Sequence, residues 1–222
     1  MRPPLMSNVR RHKTMSHSVT TSAIAAVSKA AYLGTLKSAG FNRRGNHMFR
    51  PFNDLFHGIH FQGSQWGSKD EGKFTINLVV TSGPLFEFWT GKPLPSNPAS
   101  ALFPIQRRIG GLMPQHLDHW WSVDNSTDIE VLGYEVMEAI NSFALLFFSE
   151  YPESSALLNR LRQGAGLPGI TTAQRPLLHA MLAQIIGFPD EAVAQIHKAL
   201  VNAGSSPFKA TVTLIGQRMG VL

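Results

Sequence analysis

Cysteine is absent from the 222 residues, which removes disulfides, thiolate nucleophiles, iron–sulfur clusters and cysteine-type zinc sites together. Charge is scarce, with only 15% of the chain Asp, Glu, Lys or Arg, so a surface with apolar patches suited to a partner is expected. No run of about 18 apolar residues occurs, which speaks against a membrane span. The opening residues MRPPLMSNVRRHKT lack the apolar core of a secretory signal. Nucleophile elbow, P-loop, dinucleotide fingerprint and HExxH helix are all missing. These absences point to a cytoplasmic protein without a cofactor and lean away from an enzyme.

What is present suits one globular domain with a helical appendage. A chain of this length buries roughly 70% of the surface its unfolded form exposes, and 43% of the residues are hydrophobic. The net charge of +6 suggests nucleic acid until its location is considered. Arg2, Arg10, Arg11 and Lys13 lie in an acid-free stretch, leaving 16 basic against 14 acidic residues for the rest. Residues 1–18 are therefore expected to be a disordered basic leader. Met15 offers an alternative start, so translation of residues 1–14 is an open question. An α+β domain over 19–163 and a helical extension over 164–222 complete the expected organisation.

Hydrophobic periodicity predicts an antiparallel sheet of about four to five strands. It is flanked by an N-terminal helix over 20–39 and a long central helix over 128–150, with helical hairpins at the C-terminus. Thr20, Thr21 or Ser22 suits the cap of the first helix and Gly40 its end. Lys73 to Thr81 is the clearest strand, with Phe74, Ile76, Leu78 and Val80 on one face and Thr75, Asn77 and Thr81 on the other. Leu55 to Gln62 should pair with it as a hairpin. His47 to Phe52 contains Pro51 and is expected at an edge or strand end. Leu85 to Trp89 is expected as a further strand, and Trp120 to Val123 as a last short one. Residues 90–104 hold four prolines and predict a long irregular loop. Residues 177–200 resemble one helix–turn–helix unit of a tetratricopeptide-like repeat, but with no second copy they predict a single hairpin docked on the sheet.

Several constellations invite a chemical reading. His57/His60 and His116/His119, the second pair beside Asp118, have the residue types of a zinc-dependent hydrolase. Residues three apart on a strand face opposite sides, so His57 and His60 converge only if a bulge at Gly58 reorients one. Histidines as ordinary sheet and loop residues are the simpler expectation. Arg43, Arg44, His47 and Arg50, with Arg107, Arg108 and the tryptophans Trp66, Trp120 and Trp121, have the parts of a nucleic-acid surface. The same arginines also suit stacking and pairing within a fold. Gln62 and Asn77 interrupt apolar strands, so each needs a hydrogen-bond partner or a ligand. Glu87, between Phe86 and Phe88, is expected as an exposed charge on an edge strand.

The order of elements resembles a known family. Leu36, Gly40–Phe41, Arg43–Gly45, Phe49–Arg50, Gln62, Ser64, Lys73–Leu78, Arg108–Ile109 and Asp118–Trp121 follow a pattern similar to the bacterial domain of unknown function 4304. The resemblance covers about residues 20–150 and implies a small bacterial α+β domain, but no activity. His57 and His60 lie outside its pattern.

The combined expectation is a non-catalytic binding or protein-interaction domain with an unknown protein partner. Nucleic-acid binding through Arg43, Arg44, Arg107 and Arg108, and metal-dependent hydrolysis, stand as alternatives. The residues to locate are Arg43, Arg50, Gln62, Asn77, Arg108 and Trp121, because a shared cleft would mark a ligand site.

Overall fold

Ser18 accepts a hydrogen bond from the Thr21 amide at 3.3 Å and starts helix α1 (Val19–Ala31). It is the first described residue in a computed structural model that describes residues 18–101 and 104–222. Of the expected leader, residues 1–18, Ser18 is this helix cap and the rest lies outside the described residues. The cap falls slightly ahead of the expected threonines. Ala23, Ile24, Val27 and Ala31 form the buried stripe of α1. The helix continues through one π turn (Tyr32–Leu36) and ends at Gly40, whose φ of +83° is left-handed. The chain then folds back, with the Phe41 amide donating to the Leu36 carbonyl.

Six antiparallel strands follow: β1 (Asn42–Arg44), β2 (His47–Phe52), β3 (Leu55–Gly63), β4 (Glu71–Thr81), β5 (Ile105–Arg108) and β6 (Trp121–Asp124). The expected hairpin is β3–β4, with His60 opposite Asn77 and Ile59 opposite Leu78. β2 is not an edge, because β1 pairs with it from Phe49 to His47. Pro51 lies past the end of β1, where its missing N–H breaks no pairing on that side.

β5 and β6 share one edge of β4. Arg108 is opposite Asn77, and Trp121 is opposite Phe74. They are two pieces of one interrupted strand, and the chain leaves the sheet over residues 109–120 before rejoining it. The Thr75 hydroxyl bridges the gap by donating to the His119 carbonyl at 2.9 Å.

The expected strand at Leu85–Trp89 is instead helix α2 (Gly83–Thr90). Ser82 accepts from the Leu85 amide, Pro84 occupies the first turn, and Gly91 closes the helix at φ +71°. A short apolar run cannot separate helix from strand by its period, so the flanking residues decide. Glu87 is exposed, but on this helix.

α3 (Ile129–Ala139), a π turn (Ile140–Ala144) and α4 (Leu145–Ser149) form the long central helix, which packs against α1. It is long and apolar enough to cross a membrane by length and composition. Its Leu132, Val136, Ile140 and Phe147 are buried in the core. α5 (Ser154–Arg162) leads to a hairpin of α6 (Arg175–Ile186) and α7 (Pro189–Ala203), turned at Gly187, and then to α8 (Phe208–Arg218). The hairpin packs chiefly on α5 and α8, with α2 beside α6, so other helices carry it against the sheet. Arg218 ties α8 to α2 by donating to the carbonyls of Phe88 and Trp89. One buried cluster runs from the sheet to Met219.

Candidate functional site

Strand parity divides the six residues of interest. Met48, Ile59, Leu78 and Trp121 belong to the sheet face that meets α1, and Arg43 and Arg50 share it. On that face the three candidates have separate packing roles. Arg43 donates to the Ala25 carbonyl (3.3 Å) and the Ser28 hydroxyl (3.2 Å) of α1. It also lines a cavity of about 520 Å³ with Asn46, Ser64 and the exposed Trp66. Arg50 donates to the Ala39 carbonyl at 2.7 Å, and its guanidinium lies 4.8 Å from the rings of both Phe41 and Phe52. Trp121 is buried, stacks on Phe74 and donates its indole N–H to Glu135 at 2.9 Å.

Gln62, Asn77 and Arg108 meet on the opposite face. Register pairs Arg44 with His47, His47 with His60, His60 with Asn77 and Asn77 with Arg108. These five residues form one cross-strand row. At an interstrand spacing of about 4.8 Å it spans roughly 19 Å. His47 and His60 lie flat on each other, centroids 4.2 Å apart. Asn77 Nδ2 donates to Gln62 Oε1 at 2.7 Å. One such bond uses one amide donor and one amide acceptor, leaving the Gln62 NH2 and the Asn77 oxygen for a third group.

The ends of the row are cationic. Arg44 is exposed, donates to the Ser96 hydroxyl at 2.8 Å and makes no ion pair with a described residue. Arg108 is half-buried, gives one N–H to Asp118 at 2.5 Å and lies 5.0 Å from the Trp120 ring. Asp118 also accepts from the Trp120 indole at 2.9 Å. The Arg108 bond, then the Trp120 bond, hold its carboxyl below the usual carboxylate range. A guanidinium has five N–H donors, so Arg108 keeps some for a ligand.

The two histidines of the row stay neutral near pH 7. Burial lowers the His47 value, and burial followed by the neighbouring His47 lowers His60 to about 4. His60 Nδ1 is buried without a hydrogen-bond partner among the described residues.

The 91–101 segment roofs the adjoining row. Pro98 and Ala99 are buried, and a Cβ on Gly58 would sit 2.8 Å from the Ala99 Cα. Gly58 therefore admits a close backbone approach; no bulge reorients the strand, because pairing runs unbroken through Gly58. A glycine inside a strand is itself a signal of such an approach. The cross-strand row had no such signal, since it depends on four registers at once.

His57 and His60 face opposite sides, as parity requires. His57 is fully buried, stacks on Phe148 at 4.7 Å and has its Nε2 3.0 Å from the Tyr151 carbonyl. Burial is the main cause that lowers its value to about 4, aided by the charge of Arg50. His116 adopts φ +52° beside the Gly111 carbonyl, whereas His119 sets its ring edge-on to Trp121. Among the described residues no group of three or more His, Asp or Glu could hold a metal ion. The nucleic-acid arginines are dispersed too. Arg43 faces α1, Arg107 donates to the Gly111 carbonyl, and only Arg44 and Arg108 share the row.

The model of the family described as Domain of unknown function (DUF4304) matches residues 34–150. The chain belongs to that family. No curated protein and no solved structure matches it. All five residues of the row lie inside the DUF4304 match, whereas α1 and the helices α5 to α8 lie outside it.

Proposed function

We propose that the protein is a non-catalytic binding domain whose row from Arg44 to Arg108 receives an extended, acidic segment of a protein partner. The carrying observation is the row itself: two guanidiniums at its ends, with an amide pair and neutral imidazoles between them. An extended peptide advances about 3.3 Å per residue, so roughly 19 Å corresponds to about six residues. Carboxylates at the ends of such a segment meet Arg44 and Arg108, and the Gln62 and Asn77 amides suit its peptide groups. The length exceeds that of a small metabolite. Trp120 favours this reading over base stacking, because Lys73 and Arg108 already lie against its ring. The absence of cysteine suits a reducing compartment, and with the family resemblance it leads us to propose a bacterial, cytoplasmic setting.

The test pairs capture with direct binding. Wild type should retain a protein from a lysate of the source cells, and should bind a labelled hexapeptide with terminal glutamates saturably. Arg44→Glu and Arg108→Glu should each weaken peptide binding by about tenfold or more, the loss of one charged contact. A strict monomer that captures nothing and ignores the peptide would remove the proposal. If a gel shift with single-stranded nucleic acid persisted after deletion of residues 1–14 but vanished in these variants, the row would belong to nucleic acid instead.

A further inference from the structure

We infer that a second pocket, between α6 and α7, binds a phosphate group. Arg175 and His179 stand one helical turn apart on α6, and Gln195, Lys198 and Asn202 recur at three- and four-residue steps on α7, so each set shares a helix face. These five residues, with Thr172 from the preceding loop, line one cavity of about 240 Å³. Two cationic side chains and several neutral donors therefore surround it from three chain segments, and among the described residues no carboxylate lines it.

The arginine is built in rather than splayed on the surface. Its Nε is buried and has no hydrogen-bond partner among the described residues. Its guanidinium lies so close to Gly166 that a Cβ there would sit 2.9 Å from Nη2. Neither Arg175 nor Lys198 pairs with a described acid. A buried guanidinium nitrogen left unpaired is costly, so an anion in the cavity recovers a charge-assisted hydrogen bond.

The Glu191 carboxylate beside the pocket is already engaged. Glu191 accepts from Arg162 through both oxygens, at 2.9 and 2.5 Å, and meets His179 Nε2 at 2.6 Å. Chiefly through Arg162, its value is held down to about 2. Glu191 thereby fixes the imidazole in the pocket wall, while Arg162 offsets its charge. A carboxylate ligand presents two coplanar oxygens, which one guanidinium fork satisfies. Donors from three directions suit the tetrahedral oxygens of phosphate better. The chemistry is shared by the free ion and by a small phosphomonoester.

The experiment uses the full chain and isothermal titration with inorganic phosphate and, separately, glycerol phosphate, against chloride at equal ionic strength. Saturable binding is expected. Tighter binding of the ester would identify a phosphomonoester as the ligand; equal or weaker binding would identify the free ion. Lys198→Gln, at an exposed position, and Arg175→Gln should each weaken binding by about tenfold or more. Lys209→Gln on α8 should leave it unchanged, as should Arg44→Glu and Arg108→Glu, which makes the result independent of the sheet row. Absence of saturable binding by wild type would overturn the inference, as would binding that Lys198→Gln leaves intact.

Discussion

His57 is stacked against Phe148 in the core, while His60, three residues later on β3, lies against His47 on the other side of the sheet. Both are held neutral, with values lowered from 6.5 to about 4, chiefly by burial. Between those two values the unfolded chain binds more protons than the folded one. Stability is therefore greatest above about pH 6.5 and drains away as pH falls toward 4. For the fully buried His57 the contribution is on the order of 3 kcal/mol. Urea midpoints should fall steadily from pH 7 to pH 4.5; a midpoint independent of pH over that range would contradict this account.

Arg50 should reveal itself through His57. Its charge helps to lower the His57 value, and its guanidinium touches His57 Nδ1 at 3.3 to 3.4 Å. Arg50→Gln should move the His57 titration upward, followed by the ring proton shifts in NMR. Loss of the bond to the Ala39 carbonyl should also cost about 1–3 kcal/mol. An unmoved titration in a folded variant would assign the shift to burial alone.

Gly58 tests the roof over the sheet. With the Ala99 Cα 2.8 Å from where a Cβ would sit, Gly58→Ala must push the 98–100 turn away. The expected cost is about 1–3 kcal/mol, with faster proteolysis within residues 91–101. A variant as stable and as resistant as wild type would show that the turn gives way freely.

The Gln62–Asn77 bond should behave as a coupled pair. Asn77→Leu leaves Gln62 without its partner at a cost of about 1 kcal/mol. Gln62→Leu combined with Asn77→Leu should cost less than the two single changes added together. Strict additivity in a double-mutant cycle would mean that the 2.7 Å contact contributes nothing measurable.

Much of the fold was legible in the sequence because its signals are local. Alternation in Lys73–Thr81 gives the faces of β4, and the Gly187 break with Pro189 gives the α6–α7 hairpin. The helical state of α2 is not legible from Leu85–Trp89, which is too short for its period to discriminate; Ser82, Pro84 and Gly91 carry the helical information. β1 has no sequence signature, because three residues, Asn42 to Arg44, are too few to carry a periodicity. The separation of His57 from His60 followed from parity alone. The row from Arg44 to Arg108 did not, because each neighbour is set by a different pairing, and β5 is reached only after the long 91–104 connection.

The interrupted strand has a consequence for how this chain can change. β5 and β6 each take their register from β4, opposite Asn77–Val80 and Glu71–Phe74 respectively. The chain departs opposite Asn77 and returns opposite Phe74, with only Thr75 and Ile76 of β4 between them. Residues added or removed between Met113 and Leu117 lengthen or shorten the excursion without sliding either strand. That edge of the sheet is thus a place where relatives of this protein can differ in length, and acquire different binding loops beside Arg108, while the sheet beneath stays the same.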